Sequence, residues 1–412
     1  MLRSALRGIQ TLKLRHNTNL QLIYSSSVIM IMGTSLIYPI LPVIRESLHI
    51  PKAQIGLVLS AFAFPSIFIA PLVGPIADLR GRKLVLVMSL LLYGAAGLAI
   101  YFIEDLAWLL ILRAVQGVGF SGIMPMVVIL IGDCCTKEQE TTAQGMKVFF
   151  DRIGLLVFPG LAGMLGALAW QTPFLLYGLA LLLAVGVMRW LPEPDMLRHA
   201  RPRLYFKEVV ALSLRLRCLT IFSMSSLRFF LDFAFFTYLP IFALDALGIP
   251  VAKGGFLFSV YALGAMVTSS QLGNLALRYD KVHLVILAFS TQGVCLLAAS
   301  AATSIWWLVA VMLFYGLANG LISPAQSSLL VQSAPGKLRG GLVSADRLFQ
   351  NLAKSASPLI AGLILMASNV QTVFRSLGAI ALVWVVVVVV LQTRGYLQPA
   401  PIAAVATPPS PN

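Results

Sequence analysis

Residues 54–103 read QIGLVLSAFAFPSIFIAPLVGPIADLRGRKLVLVMSLLLYGAAGLAIYFI: an apolar run over 54–77, the polar segment Asp78-Leu79-Arg80-Gly81-Arg82-Lys83, and a second apolar run over 84–103. A helix crossing about 30 Å of hydrocarbon needs about 20 apolar residues. Each run meets that length, and the basic turn between them is what a loop at a membrane surface looks like. The same alternation continues in both directions. Apolar runs lie at roughly 19–44, 54–77, 84–103, 107–132, 148–168, 173–191, 219–244, 254–277, 283–301, 305–331, 345–367 and 373–393. The pattern predicts an all-α membrane protein of 12 transmembrane helices.

Composition agrees. Of 412 residues, 59% are hydrophobic and 11% charged, against about 45–50% and about 25% in soluble domains. Charge is too scarce to cover a water-facing surface. The net charge of +15 does not indicate nucleic acid, because the basic residues are spread between apolar runs rather than gathered on one face. They set orientation instead. With the N-terminus inside, the inner loops and termini hold about 20 Lys and Arg, among them Arg80, Arg82, Lys83, Lys137, Arg198, Arg203, Arg217, Arg278 and Arg394. The outer loops hold about four: Arg45, Lys52, Lys253 and Arg375. The positive-inside rule then places both termini in the cytoplasm. Cys134, Cys135, Cys218 and Cys295 have neither metal spacing nor the layout of a disulfide framework. The first 18 residues are basic, and the first apolar run is too long for the core of a cleaved signal.

The chain repeats itself at an offset of 199 residues. Gly56 recurs as Gly255, Ser60 as Ser259, Gly74 as Gly273, Gly117 as Gly316, Pro125 as Pro324, Pro159 as Pro358 and Gly163 as Gly362. Gly and Pro dominate the matches because small residues let helices approach closely in lipid and Pro fixes kinks. The repeat predicts two pseudo-symmetric six-helix halves: a first bundle over 1–192, a cytoplasmic linker over 193–218, a second bundle over 219–394 and a disordered tail over 395–412. Part of the linker, Tyr205 to Leu216, reads as an interfacial amphipathic helix. Parallel six-span repeats place a shared site near the midplane, reached by rocking one half against the other.

Charges inside apolar spans are expensive and functional by default. Arg228 and Asp232 in span 7 and Lys354 in span 11 lie near mid-depth, and Arg113 lies in span 4. Arg228 and Asp232 are four residues apart and can pair on one helix face. Asp232 is the carboxylate expected to carry a coupled proton, with Arg228, Arg113 and Lys354 tuning it or binding substrate. Three bases against one acid make an anionic or zwitterionic substrate at least as suitable as a cationic one. The aromatic run of span 7, including Phe229 and Phe236, could line an apolar pocket. Tyr24, Tyr38, Asn319 and Gln350 are further cavity candidates. Asp151, Arg152, Asp346 and Arg347 fall near the inner ends of spans 5 and 11, where gating is expected.

Several segments resemble signatures of the major facilitator superfamily. Gly74-Pro-Ile-Ala-Asp78-Leu-Arg80-Gly81-Arg82-Lys83 resembles the GxxxDxxGRK loop between spans 2 and 3, with Leu79 where the family often carries a base. Arg113-Ala-Val-Gln116-Gly117-Val-Gly119 resembles the RxxQGxG motif of span 4. Tyr38-Pro39-Ile40-Leu41-Pro42 resembles the drug and metabolite exporter branch. Span 5 matches the antiporter motif only loosely, with Phe158 in place of Gly before Pro159. The resemblance implies a cytoplasmic gate built on Gly74, Asp78, Gly81, Arg82 and Lys83 and joined by Asp133, with Gly74 allowing close helix contact and Gly81 a tight turn. It also implies that Arg113 faces the central cavity and takes part in proton coupling. The second-half echo has Leu277 where Asp78 stands, so the latch is asymmetric.

The expected function is a proton-coupled exporter of a small amphiphilic drug or metabolite in the inner membrane, working as a monomer without cofactor or metal. A proton symporter importing an anionic metabolite is the alternative, followed by a non-transporting receptor or scaffold on the same fold. The intact loop motif and the mid-depth charges speak against the receptor. An enzyme is not expected, because the sequence holds no nucleophile–base pair, metal cluster or phosphate loop. The expected partners are the lipid bilayer, protons and a small-molecule substrate, with no nucleic acid.

Overall fold

A computed structural model of the chain describes residues 17–193, 210–333 and 339–394. Within them lie 12 helical segments long and apolar enough to cross a membrane: Thr18–Ser47, Lys52–Ala77, Arg82–Phe102, Leu106–Cys134, Thr142–Gly166, Thr172–Trp190, Leu216–Leu247, Val251–Ser269, Val282–Ser300, Ile305–Ile322, Gly341–Met366 and Val370–Thr393. They are called spans 1 to 12 below. The described residues contain no strand. The expected tail, and the expected linker over 194–209, lie outside the described residues.

Proline explains the two broken spans. Span 1 is interrupted at Leu36 between helices Thr18–Ser35 and Ile37–Ser47, because Pro39 has no N–H to give the carbonyl of Ser35. Span 2 breaks at Phe64, the residue before Pro65, which starts the helix Pro65–Arg80. The helix of span 5 begins at Lys137, 11 residues before the start read from hydropathy. Its first turns are polar, so the apolar run misses them. Asp151 and Arg152 therefore sit about four turns into the helix rather than near its end.

The two halves meet mainly through span 2 against span 11 and span 5 against span 8. Each of these pairs is the other's image under the 199-residue offset. A Cβ built on Gly56 would lie 2.6 Å from the carbonyl oxygen of Pro358, and one on Gly255 would lie 2.4 Å from that of Pro159. Nearby, the Ser60 hydroxyl donates to the carbonyl of Ser355 at 2.7 Å, and Ser259 donates to Leu156 at 2.7 Å. The repeated small residues thus define a pseudo-twofold contact in which backbone touches backbone.

Further contacts close the end away from the Arg80–Lys83 loop. Asp245 at the end of span 7 accepts hydrogen bonds from Arg45 of span 1 at 2.6 and 2.9 Å and pairs with Lys52 of span 2 at 2.8 Å. Tyr238 donates to the carbonyl of Pro358 at 3.1 Å. Toward the loop end, Asn351 reaches the carbonyl of Ser66 and Arg347 reaches the sulfur of Met124.

Candidate functional site

The loop after span 2 is built as a turn. Gly81 has φ +101°, a region that disfavours side chains, and it lets the chain fold back at once into the helix Arg82–Ala99. That helix presents unpaired N–H groups at its start. Glu193, just past the end of span 6, caps them: its Oε1 accepts from the backbone N–H of Arg82 at 2.6 Å and of Lys83 at 3.3 Å. The Arg82 guanidinium pairs with Asp133 at the end of span 4. These contacts tie spans 3, 4 and 6 of the first half together. The sequence did not single out Glu193 for this, since a helix cap supplied from over a hundred residues away leaves no local signature. Gly74 requires a correction. Nothing lies within 4 Å of a Cβ built there, so it makes no close helix contact in this state. The side chain of Asp78 is not among those described.

Arg113 is fully buried inside the first half, not open to the space between the halves as the family motif implies. Its Nη2 donates to the carbonyl of Gly33 at 2.9 Å, Nη1 to Oε1 of Gln116 at 2.5 Å and Nε to the carbonyl of Val58 at 3.4 Å. Its guanidinium carbon stands 4.2 Å from the centroid of the Phe62 ring. Only neutral acceptors and a π face surround it, and they join spans 1, 2 and 4.

The second half places an acid at the corresponding point. Asp232 stands 199 positions after Gly33, the residue whose carbonyl receives Arg113, and Tyr315 stands 199 after Gln116. Tyr315 donates its hydroxyl to Asp232 Oδ1 at 2.8 Å, and Asn319 Nδ2 approaches the two carboxylate oxygens at 3.1 and 2.8 Å. Asp232 is 7% exposed. Its partners come from span 10 rather than from Arg228, so the pair expected within span 7 is not formed. The four-residue spacing permits that pair, but the neutral donors of span 10 already satisfy the carboxylate. Tyr38 of span 1 stacks on Phe258 of span 8 and meets Phe236 and Phe233 edge-on, with centroids 5.5 to 6.1 Å away. Phe236 also packs on Tyr261 and Tyr315. An aromatic wall thus joins the two halves beside Asp232.

Arg228 and Lys354 are both half-buried and both lie over the ring of Phe229, at 4.2 and 4.1 Å from its centroid. Their charges are therefore at most about 8 Å apart. At an effective dielectric of about 20, that separation corresponds to about 2 kcal/mol of repulsion or more. The ring face offsets part of it, since each cation–π contact contributes about 0.5–2 kcal/mol. Lys354 Nζ also donates to the Asn351 side-chain oxygen, at 3.4 Å, and among the described residues the Nε of Arg228 has no hydrogen-bond partner. Asp232 acts on Arg228, and Asp346 on both cations, from longer range. Arg152 of span 5 lies within electrostatic reach of both Arg228 and Asp232.

Asp346 and Asp151 staple helices within a half rather than forming a gate between halves. Asp346 accepts from Ser225 at 2.5 Å, from Gln350 at 2.7 Å and from Gln326 at 3.3 Å. Asp151 accepts from Lys147 at 2.6 Å and from Ser27. Gln350 is thereby engaged with Asp346. Tyr24 stacks on Phe150, donates to the carbonyl of Ala143 and lines a groove of about 520 Å³ among spans 1, 5 and 6, within the first half. Among the described residues no group of three His, Cys, Asp or Glu side chains could hold a metal. Sequence reading passed over Tyr315, to which the repeat offset from Gln116 could have pointed. It named Arg152 as a gate residue near the inner end of span 5, because the late start assigned to that span hid its depth in the helix.

Twelve spans, two repeat-related bundles and a charged, aromatic midplane between them define a membrane transporter architecture. The sequence profile of the Major Facilitator Superfamily matches residues 23–268 and 221–411, and the chain belongs to that family. It is 22% identical over 406 residues to the quinolone resistance protein NorA of Staphylococcus aureus, covering 91% of this chain and 96% of the relative. It is 24% identical over 361 residues to multidrug resistance protein 1 of Bacillus subtilis, covering 85% and 90%. The crystal structure of the nucleoside transporter NupG superposes with a TM-score of 0.76 at 14% identity, over 91% of this chain and 99% of that one. The fold is therefore that of a multi-pass transporter of this superfamily.

Proposed function

We propose that this chain is a proton-coupled exporter of a small amphiphilic compound, working by alternating access, with Asp232 as the carboxylate that gains and loses the proton. The observation that carries the reading is the environment of Asp232: a buried carboxylate whose direct partners are the neutral donors Tyr315 and Asn319, with the Arg228 charge acting on it from beyond ion-pair distance. A group so held can change protonation without breaking a direct ion pair in the membrane, where a lone charge is costly. The aromatic wall of Tyr38, Phe233, Phe236 and Phe258 forms a packed apolar layer next to it that couples the two halves. The names of the relatives, quinolone resistance protein and multidrug resistance protein, fit efflux of such compounds. Arg113 serves as the fixed positive counterpart in the first half, and the Gly81, Arg82, Lys83 and Asp133 cluster with Glu193 holds the loop end of that half.

The surplus of Lys and Arg at the loop end supports an orientation with that end, and both termini, on the cytoplasmic side of a cell membrane. The domain division is a first bundle to residue 192, a linker to 218 and a second bundle to 394. One observation favours a second reading, a proton symporter importing an anionic metabolite: among the described residues Arg228 and Lys354 form no direct ion pair with a carboxylate and instead share the Phe229 ring. Proton flux in proteoliposomes under an imposed pH gradient separates the two. Anionic, neutral and cationic amphiphiles would be compared on the wild type and Asp232→Asn. Export predicts substrate-driven proton movement opposite to substrate, lost in the variant. Import predicts movement in the same direction. Coupling that survives in Asp232→Asn removes Asp232 from the role.

A further inference from the structure

Two cations well inside their spans share one ring, and among the described residues neither forms a direct ion pair with a carboxylate. Asp232 acts on Arg228, and Asp346 on both, only from longer range. Arg228 lies 12 residues into span 7, counted from Leu216, and Lys354 lies 12 residues from Met366 at the end of span 11. At 1.5 Å per residue, each is about 18 Å from that helix end, which puts both beyond the reach of a lipid head group. The two carboxylates nearest along these helices are already engaged: Asp232 by Tyr315 and Asn319, and Asp346 by Ser225, Gln326 and Gln350. Both cations are half-buried rather than sealed, and Arg152 of the other half lies within electrostatic reach of Arg228, so the pair sits toward the contact between the halves. A close pair of like charges with hydrogen-bonded carboxylates as neighbours and an unpartnered guanidinium nitrogen is arranged to receive negative charge from elsewhere.

We infer that Arg228 and Lys354, held over Phe229, form the recognition site for a single carboxylate on an apolar, aromatic substrate. The guanidinium offers parallel N–H donors that match a carboxylate, and the ammonium supplies a second point charge. Phe229 sets the spacing of the two cations and tempers their repulsion while the site is empty. The apolar body of the substrate lies beside Phe229, which is only partly buried, and Arg152 brings a further positive charge from the first half. The bound anion is thus gripped by groups from both halves, so its binding depends on how the halves stand to one another. This assignment deepens the proposed export reading by naming the substrate class, and it rests on that reading only for the direction of transport.

Isothermal titration of the full-length protein in detergent at pH 7 tests it with three probes of one shape: 2-naphthoate, 2-naphthylmethylamine and 2-naphthalenemethanol. The naphthoate is expected to bind at least tenfold tighter than either of the others. Arg228→Gln and Lys354→Gln should each weaken it at least tenfold and leave the neutral alcohol within twofold, which also shows that the variants are folded. Lys354→Arg should retain binding, and Phe229→Leu should weaken it. Equal affinity for the three probes, undiminished naphthoate binding in both Gln variants, or no measurable naphthoate binding overturns the assignment. So does full competition by equimolar sulfate, which would mark a general anion site. The flux assay separates the two readings. Naphthoate binding without proton movement preserves the site and rejects coupling. Coupled transport of the amine, indifferent to Arg228→Gln, preserves coupling and rejects the site.

Discussion

Replacing Asp245 by Asn isolates the seal at the end away from the Arg80–Lys83 loop. Asp245 receives the forked guanidinium of Arg45 at 2.6 and 2.9 Å and the ammonium of Lys52 at 2.8 Å, both from the other half. The side chains are 11%, 24% and 54% exposed for Arg45, Asp245 and Lys52. The Lys52 pair is therefore screened and contributes a few tenths of a kcal/mol. The Arg45 fork is bidentate and mostly covered, which puts it near the lower part of the about 1.5–3 kcal/mol range for hydrogen bonds to charged groups. Asn keeps one acceptor and loses the charge, so the closed end should lose about 1.5–2 kcal/mol. Each 1.4 kcal/mol is a factor of ten, and the ratio of closed to open forms should fall about tenfold to thirtyfold. Spin labels attached at Ser47→Cys and Ala246→Cys, after serine replacement of the four native cysteines, would report the distance between the two halves by pulsed electron resonance. The expected result is a longer-distance population that appears in Asp245→Asn and not in Asp245→Glu. Identical distance distributions in the wild type and Asp245→Asn would refute the claim that this cluster holds the end shut.

Two further outcomes follow from the packing. Gly56→Val and Gly255→Val each put a side chain where a neighbouring carbonyl oxygen already lies within 2.6 Å. Both should cut transport to below about a tenth of wild type and lengthen the same label distance, and because the contacts are pseudo-equivalent, the two variants should behave alike. Arg113→Lys should fail to restore what Arg113 does, since an ammonium cannot reach Gly33, Gln116 and Val58 from one position. Its thermal midpoint in detergent should fall by more than about 5 °C, as expected for a loss of about 2 kcal/mol in a large domain. An unchanged midpoint would mean that the buried guanidinium contributes nothing net to the first half.

The class of structure is legible in the residues alone. Spans could be counted because lipid enforces long apolar helices with internally satisfied backbones, and that pressure shows in every window of the chain. The repeat could be read because close helix contact selects Gly and Pro at fixed positions, as at Gly56 with Gly255 and at Pro159 with Pro358. The mid-depth charges were visible for the same reason, since a charge stands out against an apolar span. What those charges touch was decided only by tertiary structure. The spacing of Arg228 and Asp232 allowed a pair, yet Asp232 turned to Tyr315 and Asn319, 83 and 87 residues away in sequence. Arg113 was legible as a buried base, but not that its acceptor would be the carbonyl of Gly33. Gly74 was expected to pack and meets open space. Hydrogen-bond partners across helices depend on the rotation and depth of each helix, and local periodicity fixes neither to better than a turn. The offset between the halves comes nearest to bridging that gap, because it pairs Gly33 with Asp232 and Gln116 with Tyr315, and so links the base of one half to the acid of the other.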